Sequence, residues 1–128
     1  MSGERVLVLA DDLIWGTRLT GHVRSAAAEP ITARTADAFR AELAAAADAA
    51  IVDLTSRAYD GLAMIAAARD LGVPVLAVGQ HDDHVLRRDA LAVGADRVLA
   101  YRKLFDDGPA TIRRWLDATR TTKEASTP

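Results

Sequence analysis

Ala49-Ala50-Ile51-Val52, followed at once by Asp53, reads as a short strand that is apolar on both faces and ends in a carboxylate. Continuous apolarity, as opposed to strict alternation, marks a strand covered on both sides, which is the habit of parallel sheets. Three further runs have this character: Val6-Leu7-Val8-Leu9, Val73-Pro74-Val75-Leu76-Ala77-Val78 and Val98-Leu99-Ala100. Ile31-Thr32-Ala33-Arg34 alternates and suits an edge strand, one side of which meets water. Helical spacing fills the intervals. Leu19, Val23 and Ala26 mark the first helix, Phe39 and Leu43 the second, and Leu62, Ile65, Ala66 and Leu71 the third, which stops at Gly72. Val85, Leu86 and Leu91 mark the fourth helix, which ends at Gly94; Ile112, Trp115, Leu116 and Ala118 mark the fifth, with Pro109 in its first turn. Strand and helix in strict alternation demand right-handed crossovers. The expectation is a three-layer α/β/α sandwich around a five-stranded parallel sheet.

Composition narrows the function. A chain of 128 residues with 50% hydrophobic content is one domain able to bury a core. The formal charge of -2, with acids and bases intermixed, supplies no basic run for nucleic acid or a membrane surface. The absence of cysteine removes disulfides, thiol chemistry and Cys-based zinc sites. The polar start Met1-Ser2-Gly3-Glu4 and the brief apolar run after it match neither a signal peptide nor a span, so a cytoplasmic location is expected. Residues 1–119 form the expected domain, and 120–128 read as a polar tail.

Ligands of open α/β sheets collect at the carboxyl ends of the strands. There the first strand runs into Asp11-Asp12 and the third ends in Asp53, so carboxylates converge on one edge. Such a cluster suits a hard divalent cation, magnesium above all, held by carboxylates, a carbonyl and waters. The plainer reading is that these acids end strands and cap helices, Asp12 standing where the first helix needs its N-cap.

Asp53-Leu54-Thr55-Ser56-Arg57-Ala58-Tyr59-Asp60-Gly61-Leu62 resembles, without a gap, the phosphoacceptor stretch of CheY-like response-regulator receiver domains, with Arg57 where that family has proline. Val73-Pro74-Val75-Leu76 is similar to the family's fourth strand, and Gly94-Ala95-Asp96 to the segment before its fifth. The resemblance covers about residues 5 to 118 and implies the strand order 2-1-3-4-5. It also implies a phosphoacceptor at Asp53, a magnesium set of Asp11, Asp12, Asp53 and Thr55, and histidine kinases or effector domains as partners. The remaining positions depart from the pattern. The first acid falls on Ala10, for which Asp12 substitutes only if the strand slips by one residue. The switch hydroxyl falls on Gly79, the lysine on Tyr101 and the switch aromatic on Val98. Lys103 is a possible substitute cation, on the same strand face as Tyr101 but about 6–7 Å further along.

The expectation is therefore an atypical receiver, not an enzyme, that binds magnesium weakly and acts by protein contact. The alternative is a true phosphoacceptor, modified on Asp53 by a histidine kinase. Its partner surface is expected between the fourth and fifth helices, where Arg87, Arg88, Arg102, Lys103 and Arg113 fall, and that surface also suits a homodimer. A nucleotide-binding enzyme is disfavoured, because Ala10-Asp11-Asp12-Leu13 sets negative charge where a Gly-rich phosphate loop would lie. His81-Asp82-Asp83-His84 reads as a helix cap with solvated histidines before it reads as a metal site, and Trp15 and Trp115 read as core or near-core residues, with Trp15 alternatively shielding the acidic edge.

Overall fold

The computed structural model describes residues 3–45, 47–80 and 82–125, the side chains of 121–125 excepted. Strands and helices alternate throughout: β1 Arg5–Leu9, α1 Leu13–Ser25, β2 Glu29–Ala33, α2 Ala36–Ala44, β3 Ala49–Asp53, α3 Gly61–Asp70, β4 Val75–Gly79, α4 His84–Val93, β5 Arg97–Ala100 and α5 Tyr101–Ala125. All five strands pair in parallel in the order β2-β1-β3-β4-β5, the order that the resemblance implied.

The two-residue period of a strand divides the core. Leu7, Leu9, Ala50, Val52, Val75, Ala77 and Val98 face one helical layer and pack with Phe39, Leu43, Met64 and Ile65 of α2 and α3. Val6, Val8, Ala49, Ile51, Leu76 and Val78 face the other, with Leu19 and Val23 of α1 and Ile112, Trp115 and Leu116 of α5. Asp53 lies two residues after Ile51, so its side chain projects toward the α1–α5 layer. Ala10 follows Val8 on that same side, in register with its neighbours, so the strand has not slipped to bring Asp12 there.

Local signals set the element ends. Gly72 takes φ 72 beyond α3, the left-handed stop that its position predicts. Asp12, Thr35, Asp60 and Asp83 cap α1 to α4 by accepting backbone N–H bonds. Of the pair Asp82 and Asp83, Asp83 is the cap; His81 lies outside the described residues.

Several expectations need correction. Two of the three apolar marks of α4 face outward, Val85 and Leu91 being exposed like Leu71 after α3, while Ala90 is buried and Leu86 and Val93 pack half-buried against the core. The fifth strand stops at Ala100 and a helix begins at Tyr101, so Lys103 is an exposed helical residue and not a strand neighbour of Tyr101. Pro109 does open a run of helix, but only after a break at Asp107 (φ -150, ψ 40). Arg113, assigned to the α4–α5 surface, belongs elsewhere. It donates to the Glu4 carboxylate and, at 2.9 Å, to the Ala26 carbonyl, and it pairs with Asp117, joining α5 to the start of β1 and the end of α1. The Arg113 hydrogen bond holds the Glu4 carboxyl below its ordinary range. The helix itself continues past residue 119 to Ala125.

Candidate functional site

Asp53 closes β3 at the carboxyl edge of the sheet with 1% of its surface exposed. Three donors converge on a single oxygen, Oδ1. The backbone N–H of Thr55 donates at 3.0 Å, in the tight turn that an aspartate favours, and the Thr55 hydroxyl donates at 2.8 Å. The third is the hydroxyl of Tyr101. Thr55 Oγ1 and Tyr101 Oη also lie 2.6 Å apart, which closes a triangle of two hydroxyls and a carboxylate oxygen.

Tyr101 is the first residue of α5, directly after β5, and it is buried on the α1–α5 side to which Asp53 also points. Above it lies the indole of Trp15, with ring centroids 4.0 Å apart and planes inclined by 30°. Trp15 lies four residues before Leu19 and so continues the buried stripe of α1. It is half-buried, packs against the α1–α5 core layer and stacks on Tyr101 beside the acidic edge. Trp115 is the core tryptophan, 1% exposed.

The second tyrosine of the chain serves the same strand end. Tyr59 donates at 2.6 Å to the main-chain carbonyl of Asp53 and at 3.2 Å to that of Leu9, pinning β3 to β1. Nothing in the spacing singled it out, although it lies within the quoted Asp53 to Leu62 stretch. Leu54, next along, packs against Gly61, where a Cβ would come within 3.0 Å of Leu54 Cδ2.

Burial, and after it the bond to Asp53, push the Tyr101 hydroxyl well above the ordinary phenol range; burial and then the charge of Asp53 do so for Tyr59. Each group is thus neutral in the folded chain at any working pH. A folded-state value above that of the unfolded chain, 10.0, means stability fully present below pH 10 and lost as the pH rises above it. A spectrophotometric titration of the native protein is accordingly expected to show no tyrosinate band near pH 10. A band of half intensity there would contradict the closed geometry.

The magnesium set does not assemble. Asp12 Oδ1 accepts from the Trp15 backbone N–H at 3.0 Å, Ala10 is apolar and buried, and Oδ1 of Asp53 is taken by three donors. Asp11 is partly exposed, and its carbonyl accepts from Arg34 at 3.2 Å. Among the described residues no group of three or more His, Cys, Asp or Glu is arranged to hold a metal ion. Of the four residues, Asp11 and the second carboxylate oxygen of Asp53 are left as groups that would hold magnesium, an ion commonly bound through one or two carboxylates with waters completing its shell.

Gly79 and Val98 lie on the opposite face of the sheet. With Leu54 and Leu86 they line a cleft of about 10 Å³, space for one water at most. No hydroxyl or aromatic fills it. Arg87, Arg88, Arg102 and Lys103 are exposed on α4 and the start of α5.

No protein-family model matches the chain, and no curated protein matches it. Solved structures do. NtrX from Brucella abortus superposes with a TM-score of 0.84 at 20% identity over 97% of this chain, which spans 29% of that one. A CheY-like response regulator receiver domain protein from Methanospirillum hungatei gives 0.78 at 20% identity, covering 94% of this chain and 99% of its own. A response regulator from Burkholderia pseudomallei, determined with a phosphorylated aspartic acid, calcium ion and citrate, gives 0.75 at 20% identity over 98% of this chain and 75% of that one. Likeness at this identity reports architecture, and the architecture is that of the CheY-like response-regulator receiver domain.

Proposed function

We propose that this chain is an atypical receiver domain of two-component signalling that acts by protein contact and does not accept a phosphoryl group on Asp53. The observation that carries the reading is the closure of that carboxylate: three donors occupy Oδ1, and the Tyr101–Trp15 stack lies over it. Phosphoryl transfer depends on positioned positive charge to offset the equatorial oxygens. Here a neutral phenol stands at the position matching the lysine, and Lys103 is exposed on a helix. To accept a phosphoryl group the site would have to break the Tyr101 and Thr55 bonds and seat a dianion against an indole and a phenol.

The partner is a histidine kinase or an effector domain, met in the cytoplasm. The exposed Arg87, Arg88, Arg102 and Lys103 are available to it on the α4–α5 side, and a second copy of the chain is another occupant of that surface. No described helix is long and apolar enough to cross a membrane.

Incubation with magnesium and acetyl phosphate, followed by intact-mass measurement, tests the reading. The expected spectrum holds only unmodified protein, while a typical receiver treated in parallel gains one phosphoryl group. Modification mapped to Asp53 would overturn the proposal and support the phosphoaccepting alternative.

A further inference from the structure

Beyond its two hydroxyl contacts, Asp53 is the inner end of a continuous run of side chains that surfaces between α1 and α5. Its carboxylate holds Tyr101, and the Tyr101 ring stacks on Trp15. The guanidinium of Arg18 then lies over two rings at once, 5.4 Å from the centroid of Trp15 and 5.6 Å from that of Phe105. Phe105 is 66% exposed, and so is Ile14, one helical turn before Arg18 on the same face of α1. Among the described residues the other side of the sheet carries no stacked rings: Gly79 has no side chain and Val98 no polar atom, and Gln80, Asp83 and Arg87 line the small cleft beside them.

We infer that the hydrogen-bonded state of Asp53 is coupled to the α1–α5 surface through Tyr101, Trp15, Arg18 and Phe105, a surface separate from the α4–α5 one offered to the partner. The inference rests on the reading that Asp53 is a hydrogen-bonded, unmodified carboxylate. Coupling requires an element with two arrangements. Tyr101 is the candidate: in the structure its hydroxyl is bonded to Asp53 with the ring beneath Trp15. The inferred second arrangement is the one in which that bond is broken and the indole and the Arg18 seat are free to move. A ligand or partner that favours one arrangement biases the other end of the run.

Arg18 is exposed, so its replacement leaves the core untouched, and the readout is placed at the far end. Amide spectra of Arg18→Ala are expected to shift the cross-peaks of Asp53 and Thr55. Arg18→Lys, which keeps a cation over the rings, restores them in large part, and Arg87→Ala on α4 leaves them in place. Tyr101→Phe is expected to shift the Trp15 indole and the Ile14 amide, while the Trp115 indole reports an intact core. An unmoved Thr55 amide in Arg18→Ala, or an equal shift in Arg87→Ala, would overturn the inference. The spectra are taken without phosphodonor or metal. The run can thus fail while Asp53 stays unmodified, and phosphorylation of Asp53 can be found whatever these spectra show.

Discussion

Replacing Tyr101 with alanine is expected to lower the free energy of unfolding by about 3–5 kcal/mol, the range for truncating a buried aromatic ring. Tyr101 is 9% exposed, its ring stacks on Trp15, and its hydroxyl donates to Asp53 beside that of Thr55. Part of the loss is packing and part is the hydroxyl, and Tyr101→Phe separates them. That variant keeps the ring and leaves Asp53 with two donors on Oδ1, so about 1–2 kcal/mol is expected, in the range of a hydrogen bond to a charged group. Urea denaturation with unchanged slopes is the measurement. A Tyr101→Phe variant as stable as the parent would mean that the hydroxyl holds nothing, and the closed site would lose its support.

Asp53→Ala is expected to destabilise the fold by about 1.5–3 kcal/mol, and here the sign carries the argument. Where several carboxylates crowd one edge they repel, and removing one relieves the others, so such a substitution stabilises. In this chain Asp12 is occupied with capping α1, Ala10 is apolar, and Asp53 is surrounded by donors. Truncation would leave the hydroxyls of Tyr101 and Thr55 without their shared acceptor at a largely dry position, and unmet buried donors are costly. Asp53→Asn keeps one acceptor oxygen and is expected to lose about half as much. A rise in the urea midpoint for Asp53→Ala would restore the like-charge account of this edge.

The fold was legible because strand burial writes itself into composition: Ala49 to Val52 and Val75 to Val78 are apolar at every position, and parallel pairing follows from the helices between them. Of the site, the sequence disclosed which positions matter. Asp53, Thr55 and Tyr101 were all singled out, but Tyr101 only as the place of a missing lysine. That it would bond the carboxylate depends on where β5 ends, and the pattern Val98-Leu99-Ala100 runs into Tyr101 with no turn residue to mark the boundary. Trp15 was harder still. Its spacing from Leu19 puts it on the buried stripe of α1, where it packs against the core, but its stack on Tyr101 depends on where α5 begins. Arg113 failed for a related reason: α5 carries charge on two faces, and the rotation of a helix by one residue exchanges a partner-facing surface for an internal ion pair with Glu4. The exposed Val85 and Leu91 of α4 show the same limit, since apolar marks on a short helix leave its rotation open, and here Ala90, Leu86 and Val93 are the residues that seat it.

A double-mutant cycle on Asp53 and Tyr101 probes the carboxylate–phenol bond itself, with the unfolding free energies of Asp53→Ala, Tyr101→Phe and the combined variant as its terms. The geometry predicts that the two losses overlap, with a coupling energy of about 1 kcal/mol or more. Strict additivity, within about 0.3–0.5 kcal/mol, would mean that no bond joins them and that the acceptor oxygen is open to chemistry after all.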